Sequence, residues 1–506
     1  MPSRVQTYAV VGLRAIPVDV EVDIANGLPN VFVVGLPDAS VQEAKERVRA
    51  AVRNSGYDFP AARITVSLAP AELRKGGSQY DLPIALGVLF MTGAIPPTAP
   101  RQLFAGELAL DGTLRPVQGV LTCALMAKQH GYTELFCPPA NIREAALIPG
   151  LTVYPVTTLR ELVDHVCGRK RIRPAAHGVA APPARLLTTT TDFAAIVGQH
   201  HAKRALEIAA AGGHNVLFVG PPGAGKTMLA RALPGILPPL SPEESLEVTN
   251  IYSIAGLLPA DHPLIVHRPF RSPHHSASGV ALIGGGSTPR PGEVTLAHRG
   301  VLFLDELAEF SRITLDYLRQ PLEEGFVVVS RAAATVRYQA RMTFVAATNP
   351  CPCGFATDDT RPCTCTPSVV HRYWKHLSGP LLDRIDLHVS VPPVRADDLQ
   401  ADAPAESSAA VRVRVCRARE RQRARHGPQQ TNSQLAPADI RSEVPAASDP
   451  GILLRDALRR QQLTMRGYHH VVRVARTIAD LAGIDRIGVP QIAEALQYRQ
   501  RIGPAR

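Results

Sequence analysis

One segment constrains the fold of this chain more than any other. It reads Gly220-Pro221-Pro222-Gly223-Ala224-Gly225-Lys226-Thr227 and matches G-x-x-x-x-G-K-[ST] at every fixed position. An apolar run over 215–219 precedes it and the opening of a helix over 228–233 follows it, so a buried strand leads through the loop into a helix. In that setting backbone N–H groups cradle phosphates. The segment predicts a nucleoside-triphosphate site, with Lys226 at the β and γ phosphates and the Thr227 hydroxyl on Mg²⁺.

Length and charge narrow the class of protein. The 506 residues suffice for about three domains, and 55 Lys and Arg against 44 Asp and Glu give a net charge of +11. That charge suits a polyanion such as nucleic acid, and an ordinary basic protein is an equal alternative. Residues 1–11 do not resemble a signal peptide, and the longest apolar stretch, 82–95, is short and broken by Gly and Pro. We therefore expect a cytoplasmic protein without a membrane segment.

Composition changes mark the expected domain boundaries. Residues 168–191 combine a basic run, an Ala/Pro stretch and four threonines without periodicity, which is typical of a linker. A weaker break runs from about 391 to 409. We expect an N-terminal domain over 1–167, a linker over 168–191, a nucleotide-binding core over 192–392 and a helical C-terminal part over 393–506.

Two further strand-like runs end in polar residues. The run 301–304 ends in Asp305-Glu306, and the run 343–348 ends in Asn349. Asp305 is placed to complete the Mg²⁺ shell and Glu306 to polarise the attacking water, while Asn349 can hold that water or sense the γ-phosphate. Each residue alone could cap a helix, but together after three strands they predict a hydrolysis site.

Several motifs follow one another in an order that chance does not produce. They include residues 196–199, residues 269–278, Gly284-Gly285-Gly286, Pro291-Gly292-Glu293, residues 349–354 and residues 378–386. On these motifs the chain resembles the ComM family of magnesium-chelatase-like AAA+ ATPases over nearly its whole length. The resemblance implies an α/β multidomain protein that binds ATP and Mg²⁺, with an AAA+ P-loop α/β core and a C-terminal helical lid.

The resemblance also implies roles for two arginines. Arg384 would be an arginine finger that reaches the nucleotide of a neighbouring subunit, which requires a ring, and relatives of this type form hexamers. Arg466, at the start of a helix, would be the second sensor arginine of the lid. A surface salt bridge is the alternative for either residue.

A long insert, about residues 266–298, separates the phosphate loop from Asp305. In the family that the chain resembles, inserts at this place form hairpins that project into the central pore. The candidate contacts to a threaded substrate are Arg271, His274, His275, Arg290 and His298. A polar surface loop is an equal alternative for each one of them.

Four of the eight cysteines lie in one short segment, 351–365. Cys351-x-Cys353 and Cys363-x-Cys365 offer four thiolates, which suits tetrahedral, structural Zn²⁺. The C-x-C spacing is tighter than the commoner C-x-x-C, and four unconnected thiols are the alternative. Four cysteines leave no open position for catalysis by the metal.

Residues 1–167 resemble the proteolytic domain of Lon, an α/β fold of the ribosomal-protein-S5 domain 2 type, best over 106–117. Asp81 occupies the position of the nucleophilic serine and Leu121 that of the lysine, so the catalytic dyad is absent. We expect a scaffold or DNA-guiding collar. A helix face with Lys45, Arg47, Arg49 and Arg53 is expected to be exposed.

The C-terminal part opens with an arginine-rich helix. The arginines are Arg412, Arg414, Arg417, Arg419, Arg421, Arg423 and Arg425, and no clean apolar stripe accompanies them. Contact with DNA phosphates would exploit this density. A solvated helix that pairs with acidic neighbours is the favoured alternative.

The leading hypothesis is an ATP-dependent hexameric DNA motor of the helicase or branch-migration type, which acts on branched DNA in recombination and natural transformation. The alternative is a protein-remodelling ATPase of the magnesium-chelatase type, whose subunits lack a Lon-like N-terminal domain. An ATP-dependent protease ranks third because Asp81 and Leu121 replace the dyad.

Overall fold

The structure is a computed structural model that describes residues 2–176, 191–259, 263–286, 289–331, 334–357, 361–377, 379–394, 406–428, 430–460 and 463–499. Of the expected linker, residues 177–190 lie outside this description, as do 395–405 of the weaker break and 500–506 of the C-terminal part. Residues 168–176 pack on the N-terminal domain: Ile172 is buried in its core, and Ala175 N donates to Val153 O at 2.8 Å.

The N-terminal unit, residues 2–176, is mixed α/β. Its strands are β1 Ser3–Val11, β2 Arg14–Ala25, β3 Asn30–Val34, β4 Arg63–Ala69, β5 Gln102–Phe104, β6 Glu107–Leu108, β7 Leu114–Arg115, β8 Glu134–Cys137 and β9 Thr152–Pro155. Its helices are α1 Ala39–Asn54, α2 Asp81–Met91, α3 Val120–Gln129, α4 Ile142–Ala145 and α5 Leu159–Val166.

Two sheets organise this unit. The larger has the order β1-β2-β4-β3, with β3 and β4 parallel and the other pairs antiparallel, and the smaller is the parallel set β5-β8-β9. Alternation along β2 buries Val18, Val20 and Val22 on one face, as a half-buried strand requires. Helix α2 packs on β1 and β2 and is almost wholly buried.

The central unit begins at residue 191. Its strands are β10 Val216–Val219, β11 Phe270–Arg271, β12 Gly284–Gly285, β13 Arg290–Pro291, β14 Val301–Leu304, β15 Phe326–Arg331, β16 Ala334–Gln339, β17 Thr343–Thr348 and β18 Leu387–Ser390. Its helices are α6 His200–Gly212, α7 Lys226–Ile236, α8 Pro242–Ala255, α9 Gly279–Ile283, α10 Glu293–Leu296, α11 Arg312–Asp316, α12 Arg319–Glu324, α13 Pro367–His376 and α14 Gly379–Leu382.

A parallel sheet with the order β11-β14-β17-β10-β18 forms the centre of this unit. Every residue of β10, β14 and β17 is buried, which is why these strands are continuous apolar runs rather than alternating ones. Because the strands are parallel, the loops that follow β10, β14 and β17 meet at the same edge. The strands over 301–304 and 343–348 coincide with the predicted runs.

The described residues from 406 to 499 form the helices α15 Ser408–His426, α16 Pro437–Glu443, α17 Asp449–Arg459, α18 Met465–Ala482 and α19 Val489–Gln497. They share one hydrophobic core with α6, α7 and the sheet. The arginine-rich helix α15 has no clean apolar stripe, but one of its sides is buried and comprises Ser408, Val411, Val415, Ala418 and Gln422. The Gln422 amide is satisfied in this interior because it donates to Ala211 O at 2.9 Å.

The N-terminal unit contacts the central unit through α8. Thr122 Oγ1 donates to Asn250 Oδ1 at 2.6 Å, and Ser253 Oγ donates to the buried Glu144 at 2.6 Å. Helix α8 is well defined at both ends, with a Ser241 capping box at its start and a left-handed Gly256 after its last turn. Among the described residues, no helix combines the length and apolar character needed to cross a membrane.

Candidate nucleotide site

The phosphate loop joins the end of β10 to the start of α7. Gly220 approaches the neighbouring strand so closely that a Cβ would lie 2.1 Å from Val391 O, and Gly223 and Gly225 have φ values of +78° and +88°. These positions require glycine, so the loop backbone is free to turn its N–H groups toward phosphates. Lys226 Nζ donates to Gly220 O at 2.6 Å and to Asn349 Oδ1 at 3.1 Å.

Thr227 and Asp305 bring hard oxygen donors together between adjacent elements. The Thr227 hydroxyl donates to Asp305 Oδ2 at 2.7 Å, and Asp305 Oδ1 accepts from the backbone N–H of Glu306 at 3.0 Å. A hydroxyl and a carboxylate are ligands that Mg²⁺ takes alongside phosphate oxygens and water. The residues present therefore fit the metal of a nucleotide complex.

Glu306 and Asn349 lie at the same edge of the sheet. Glu306 follows β14 with a left-handed backbone, φ +51°, and its side chain is 58% exposed. Its carboxylate contacts His275 Nδ1 at 3.2 Å. Asn349 follows β17, which lies between β10 and β14 in the sheet. The structure thus brings together Lys226, Thr227, Asp305, Glu306 and Asn349 around one loop.

Arg384 and Arg466 lie elsewhere. Both pair with Glu323, Arg466 at 3.0 Å, and Arg384 also donates to Pro380 O at 2.7 Å. The guanidinium of Arg384, and then that of Arg466, lower the pKa of the Glu323 carboxyl. Sequence reasoning missed Glu323, because nothing in its neighbourhood distinguishes it from other surface carboxylates.

The two arginines line a cavity of about 790 Å³ that includes no residue of the phosphate loop. It is strongly cationic: Arg268, Arg299, Arg341, Arg384, Arg419, Arg423, Arg466 and Arg473 line it. The carboxylates on its wall are Glu244, Glu323, Glu324 and Asp386. Asp386 precedes β18 and accepts from Asn215 N at 3.0 Å, and Asn215 precedes β10. The cavity therefore opens at the amino-terminal edge of the parallel sheet, opposite the phosphate loop.

The insert residues have different environments. Arg271 forms a two-pronged ion pair with Glu293 at 2.6 Å, and His298 is 1% exposed, contacting Glu247 at 3.3 Å and accepting from Arg341 N at 3.0 Å. The prediction that His298 meets a substrate is therefore wrong, because its side chain is buried, whereas Arg271, whose side chain is 31% exposed beside Glu293, stays a predicted contact. His274 and Arg290 are exposed.

The cysteine sulfurs converge. Cys351 Sγ lies 3.3 Å from Cys353 Sγ and 3.6 Å from Cys363 Sγ, and the ligand atoms of the group, including Cys365, all lie within 4.8 Å of one another. A tetrahedral thiolate site with Zn–S near 2.3 Å places its sulfurs about 3.8 Å apart. These separations are longer than the bond of about 2.05 Å in a disulfide and lie close to the spacing of metal ligands.

The arginines of α15 divide into two groups. Arg414 pairs with Glu207 and Glu406, Arg419 donates to Ala210 O at 3.0 Å, and Arg425 pairs with the buried Asp480. Burial lowers the pKa of Arg419 to about 9. The other four, Arg412, Arg417, Arg421 and Arg423, are exposed, and of these Arg421 pairs with Asp485 at 3.3 Å. Roughly half of the arginines of α15 thus bind partners within the protein.

The N-terminal unit holds Asp81 in its interior. The carboxylate is fully buried and accepts from Arg47 Nε at 2.7 Å and from Leu108 N at 3.2 Å, while Leu121 is buried in the core. Burial raises the pKa of Asp81 to about 6, and the Arg47 guanidinium opposes that shift. Arg47 therefore does not belong to an exposed basic face, because it serves as the partner of Asp81.

Family models cover most of the chain. Residues 192–399 match "Magnesium chelatase, subunit ChlI", residues 20–141 match "Subunit ChlI of Mg-chelatase" and residues 405–499 match "Magnesium chelatase, subunit ChlI C-terminal". The magnesium-chelatase 38 kDa subunit of Rhodobacter capsulatus is 26% identical over 368 residues, which are 66% of this chain and 93% of that subunit.

Closer relatives match over nearly the full length of the chain. The competence protein ComM of Haemophilus influenzae is 43% identical over 506 residues, covering 98% of this chain and 97% of the relative. YifB of Escherichia coli is 42% identical over 502 residues, with 98% and 97% coverage. The chain belongs to the ComM family of magnesium-chelatase-like proteins.

Proposed function

We propose that this protein is an ATP-hydrolysing ring motor that moves branched DNA during recombination. One observation supports assembly into a ring: the phosphate loop lies at one edge of the parallel sheet, and Arg384 and Arg466 lie at the opposite edge. A ring in which each subunit lends its arginines to its neighbour's nucleotide is the assembly that uses both edges.

The register of the sheet gives the distance between its two edges. Strands β10 and β18 pair from Val216↔Leu387 to Val219↔Ser390, so Gly220 follows one end of the pair and Asp386 precedes the other. At about 3.3 Å per residue, roughly 16 Å of backbone lies between these two levels. Arg384 lies before Asp386, on the far side from its own phosphate loop. Its guanidinium would therefore act on the nucleotide of a second copy, in a head-to-tail contact that closes into a ring, as a hexamer.

Within each site the chemistry divides among few groups. Lys226 and the loop N–H groups hold the phosphates, and Thr227 and Asp305 hold Mg²⁺, which neutralises charge that develops on the phosphate oxygens. Glu306 orients and polarises the attacking water, and Asn349 positions it. Arg384 of the neighbour stabilises charge on the transferred group, and Arg466 contributes from the same cavity through the helical C-terminal lid.

The positive charge of the chain and its similarity to a competence protein support DNA as the polymer along which the motor moves. The net charge is +11, and Arg412, Arg417 and Arg423 on α15 with His274 and Arg290 in the insert present cationic or polar groups to solvent. The relative named competence protein ComM matches the whole chain, including the N-terminal unit, and suggests a role in natural transformation. We assign that unit, as a Lon-like domain without its dyad, the role of a collar that guides DNA.

The main alternative is a protein-remodelling motor like the magnesium chelatases. It is favoured by the family models over 192–399 and 405–499. In that case ATP hydrolysis would respond to a protein partner and would be indifferent to DNA.

The four cysteines would hold a structural Zn²⁺. Their sulfurs already lie at the separations of a tetrathiolate site, and a cytoplasmic location would keep them reduced. With four protein ligands, the metal would brace the segment that follows Asn349 and take no part in hydrolysis.

The decisive experiment measures ATP hydrolysis by the full chain without DNA, with linear duplex and with a four-way junction, and follows labelled junctions for strand separation. We expect the junction to stimulate hydrolysis most and to be resolved only with ATP. The Glu306→Gln variant serves as the matched control that binds ATP without moving DNA. Hydrolysis that no DNA alters, with junctions left intact, would contradict the DNA motor and favour the remodelling alternative.

A further inference from the structure

We infer that the cavity at the amino-terminal edge of the parallel sheet binds phosphate groups of a ligand other than the ATP that is hydrolysed. Five arginines would hold them. Arg268, Arg299 and Arg341 each lie two residues before a strand, β11, β14 and β17 in turn. Arg419 and Arg423 belong to helix α15, and all five line the cavity, where they form its arginine end. This site is additional to the catalytic one and does not require that the motor move DNA.

The three arginines that precede strands lie side by side, because the first residues of β11, β14 and β17 are register partners in the parallel sheet. Hydrogen bonds continue this alignment beyond the strands. Arg299 N donates to Arg341 O at 2.6 Å, and the Arg268 guanidinium donates to Arg299 O at 2.6 Å. Neighbouring strands are about 4.8 Å apart, so three cationic side chains begin within about 10 Å of one another.

Helix α15 presents its two arginines to this row. Arg419 and Arg423 are four residues apart and therefore lie on one face of the helix. Burial lowers the pKa of Arg419 to about 9, and the charges of Arg268 and Arg423 add to that shift, whereas Glu244 opposes it. The guanidinium groups of the row and of the helix are thus close enough to repel one another.

The carboxylates that contact the arginine end are too few to neutralise it. Glu244 contacts the arginines before β11 and β14 at 3.1 and 3.3 Å, and Glu247 contacts the second of these at 2.9 Å. Arg341 and Arg423 are exposed and form no ion pair among the described residues. Five guanidinium groups with two carboxylate partners leave an excess of three positive charges. In a concave site such an excess attracts anions, and the planar guanidinium matches the oxygens of phosphate.

The arginine end lies away from the arginines assigned to the neighbour's nucleotide. Arg384 precedes β18, and β17 and β10 separate β18 from β14 in the sheet. At about 4.8 Å per strand, roughly 14 Å lie between β14 and β18. Arg384 and Arg466 share Glu323, whereas Glu244 is the partner of the row. The cavity therefore has two cationic ends, and its volume of about 790 Å³ is within the range of ligand sites.

The test measures phosphate binding by the full chain carrying Lys226→Ala, so that the phosphate loop competes little for the probes. Inorganic tripolyphosphate and a fluorescent single-stranded DNA oligonucleotide are the probes, since free polyphosphate and the DNA backbone offer the same phosphate chemistry. Arg341→Ala and Arg423→Ala should each weaken binding of a probe about tenfold, because each removes a charge-assisted contact. Arg423→Lys keeps the charge and should lose less. Arg459→Ala, at an exposed arginine of α17, is the matched control that should change neither affinity.

The outcomes identify the source of the phosphate or overturn the site. Weaker binding of tripolyphosphate alone identifies a free polyphosphate. Weaker binding of the oligonucleotide, with a salt dependence reduced by about one phosphate per arginine, identifies DNA. Probe binding that is absent, or that is equal in R341A, R423A and R459A, would overturn the site.

ATP binding separates this site from the neighbour's nucleotide. With Lys226 intact, R341A and R423A should bind ATP with the affinity of the unsubstituted protein. Weaker ATP binding by either variant would assign these arginines to the nucleotide and would overturn the additional site. Hydrolysis that no DNA alters would contradict the proposed DNA motor and would leave the tripolyphosphate result as it stands.

Discussion

Lys226 and Asn349 are joined by a hydrogen bond of 3.1 Å between Nζ and Oδ1, across two strands that are neighbours in the parallel sheet. The same ammonium donates to Gly220 O and Pro221 O, so it lies folded onto its own loop. Burial lowers the pKa of Lys226, and the carboxylates of Asp305 and Glu306 oppose that shift. Phosphate oxygens are stronger acceptors than these partners, so we expect the ammonium to turn to the nucleotide when ATP binds.

Two substitutions should separate binding from hydrolysis. Lys226→Ala is expected to weaken ATP binding about tenfold or more, since a charge-assisted contact to phosphate is lost. Glu306→Gln should retain ATP affinity and lose about a hundredfold or more in turnover, because an amide cannot polarise water as a base. A fluorescent ATP analogue reports affinity and phosphate release reports turnover. Unchanged hydrolysis by E306Q would show that Glu306 does not polarise the attacking water.

Mixed rings should show that Arg384 serves its neighbour. Arg384→Ala keeps an intact phosphate loop and Lys226→Ala keeps an intact arginine, so about a quarter of the interfaces in a random mixture pair both intact partners. We expect either variant alone to be inactive and the mixture to hydrolyse ATP. Mixing K226A with E306Q is the matched control without recovery, because both changes damage the same half of the site. Assembled R384A/K226A rings without activity would place Arg384 outside the neighbour's site.

The residues at the edge of the sheet where the phosphate loop lies could be predicted from the sequence, because the patterns that mark them span only a few neighbouring residues. Buried parallel strands are short apolar runs, and the loops that follow β14 and β17 carry Asp305, Glu306 and Asn349 within two positions of the strand end. The strands before Asp305 and Asn349 and the helix after the phosphate loop could thus be located without a structure. Which loops become neighbours then follows from the strand order alone.

The sequence does not predict which of its distant residues form ion pairs or hydrogen bonds with one another. His298 and Arg271 are polar residues in a polar segment, yet Glu247 and Glu293 bind them internally. Arg414 and Arg425 belong to a run that suggests a polyanion, and acidic residues remote in sequence neutralise them. Such pairs depend on how separate elements pack, and a charge pattern along one helix carries no information about the surface that will face it.

The buried Asp81 should make the N-terminal unit sensitive to pH. Its pKa in the folded protein is raised to about 6 by burial, above the value of about 4 in an unfolded chain. The folded state therefore holds this proton more tightly, and the stability it contributes is complete below pH 4 and lost as the pH rises through about 6.

Asp81→Asn removes this titration. Between pH 4 and 7 the free energy of unfolding of the native chain should fall relative to that of D81N by about 2 to 3 kcal/mol, since each pKa unit corresponds to about 1.4 kcal/mol. Hydrogen–deuterium exchange of α2 peptides, measured in the full chain at several pH values, reports this difference locally. A difference between the two proteins that does not vary with pH would show that Asp81 is ionised throughout this range.

Removal of zinc from the cysteine cluster should weaken ATP binding at the nucleotide site. Gly354, between the two cysteine pairs, packs so closely on the phosphate loop that a Cβ would lie 2.6 Å from Pro222 Cδ, and Trp374 Nε1 donates to Pro350 O at 2.9 Å, directly before Cys351. Cys363→Ser should lower bound zinc from about one equivalent to well under half and weaken ATP binding several-fold. Metal analysis with ATP titration checks both, and Cys416→Ser, outside the cluster, should change neither. Zinc loss that leaves ATP affinity unchanged would show that the metal braces the cysteine segment alone.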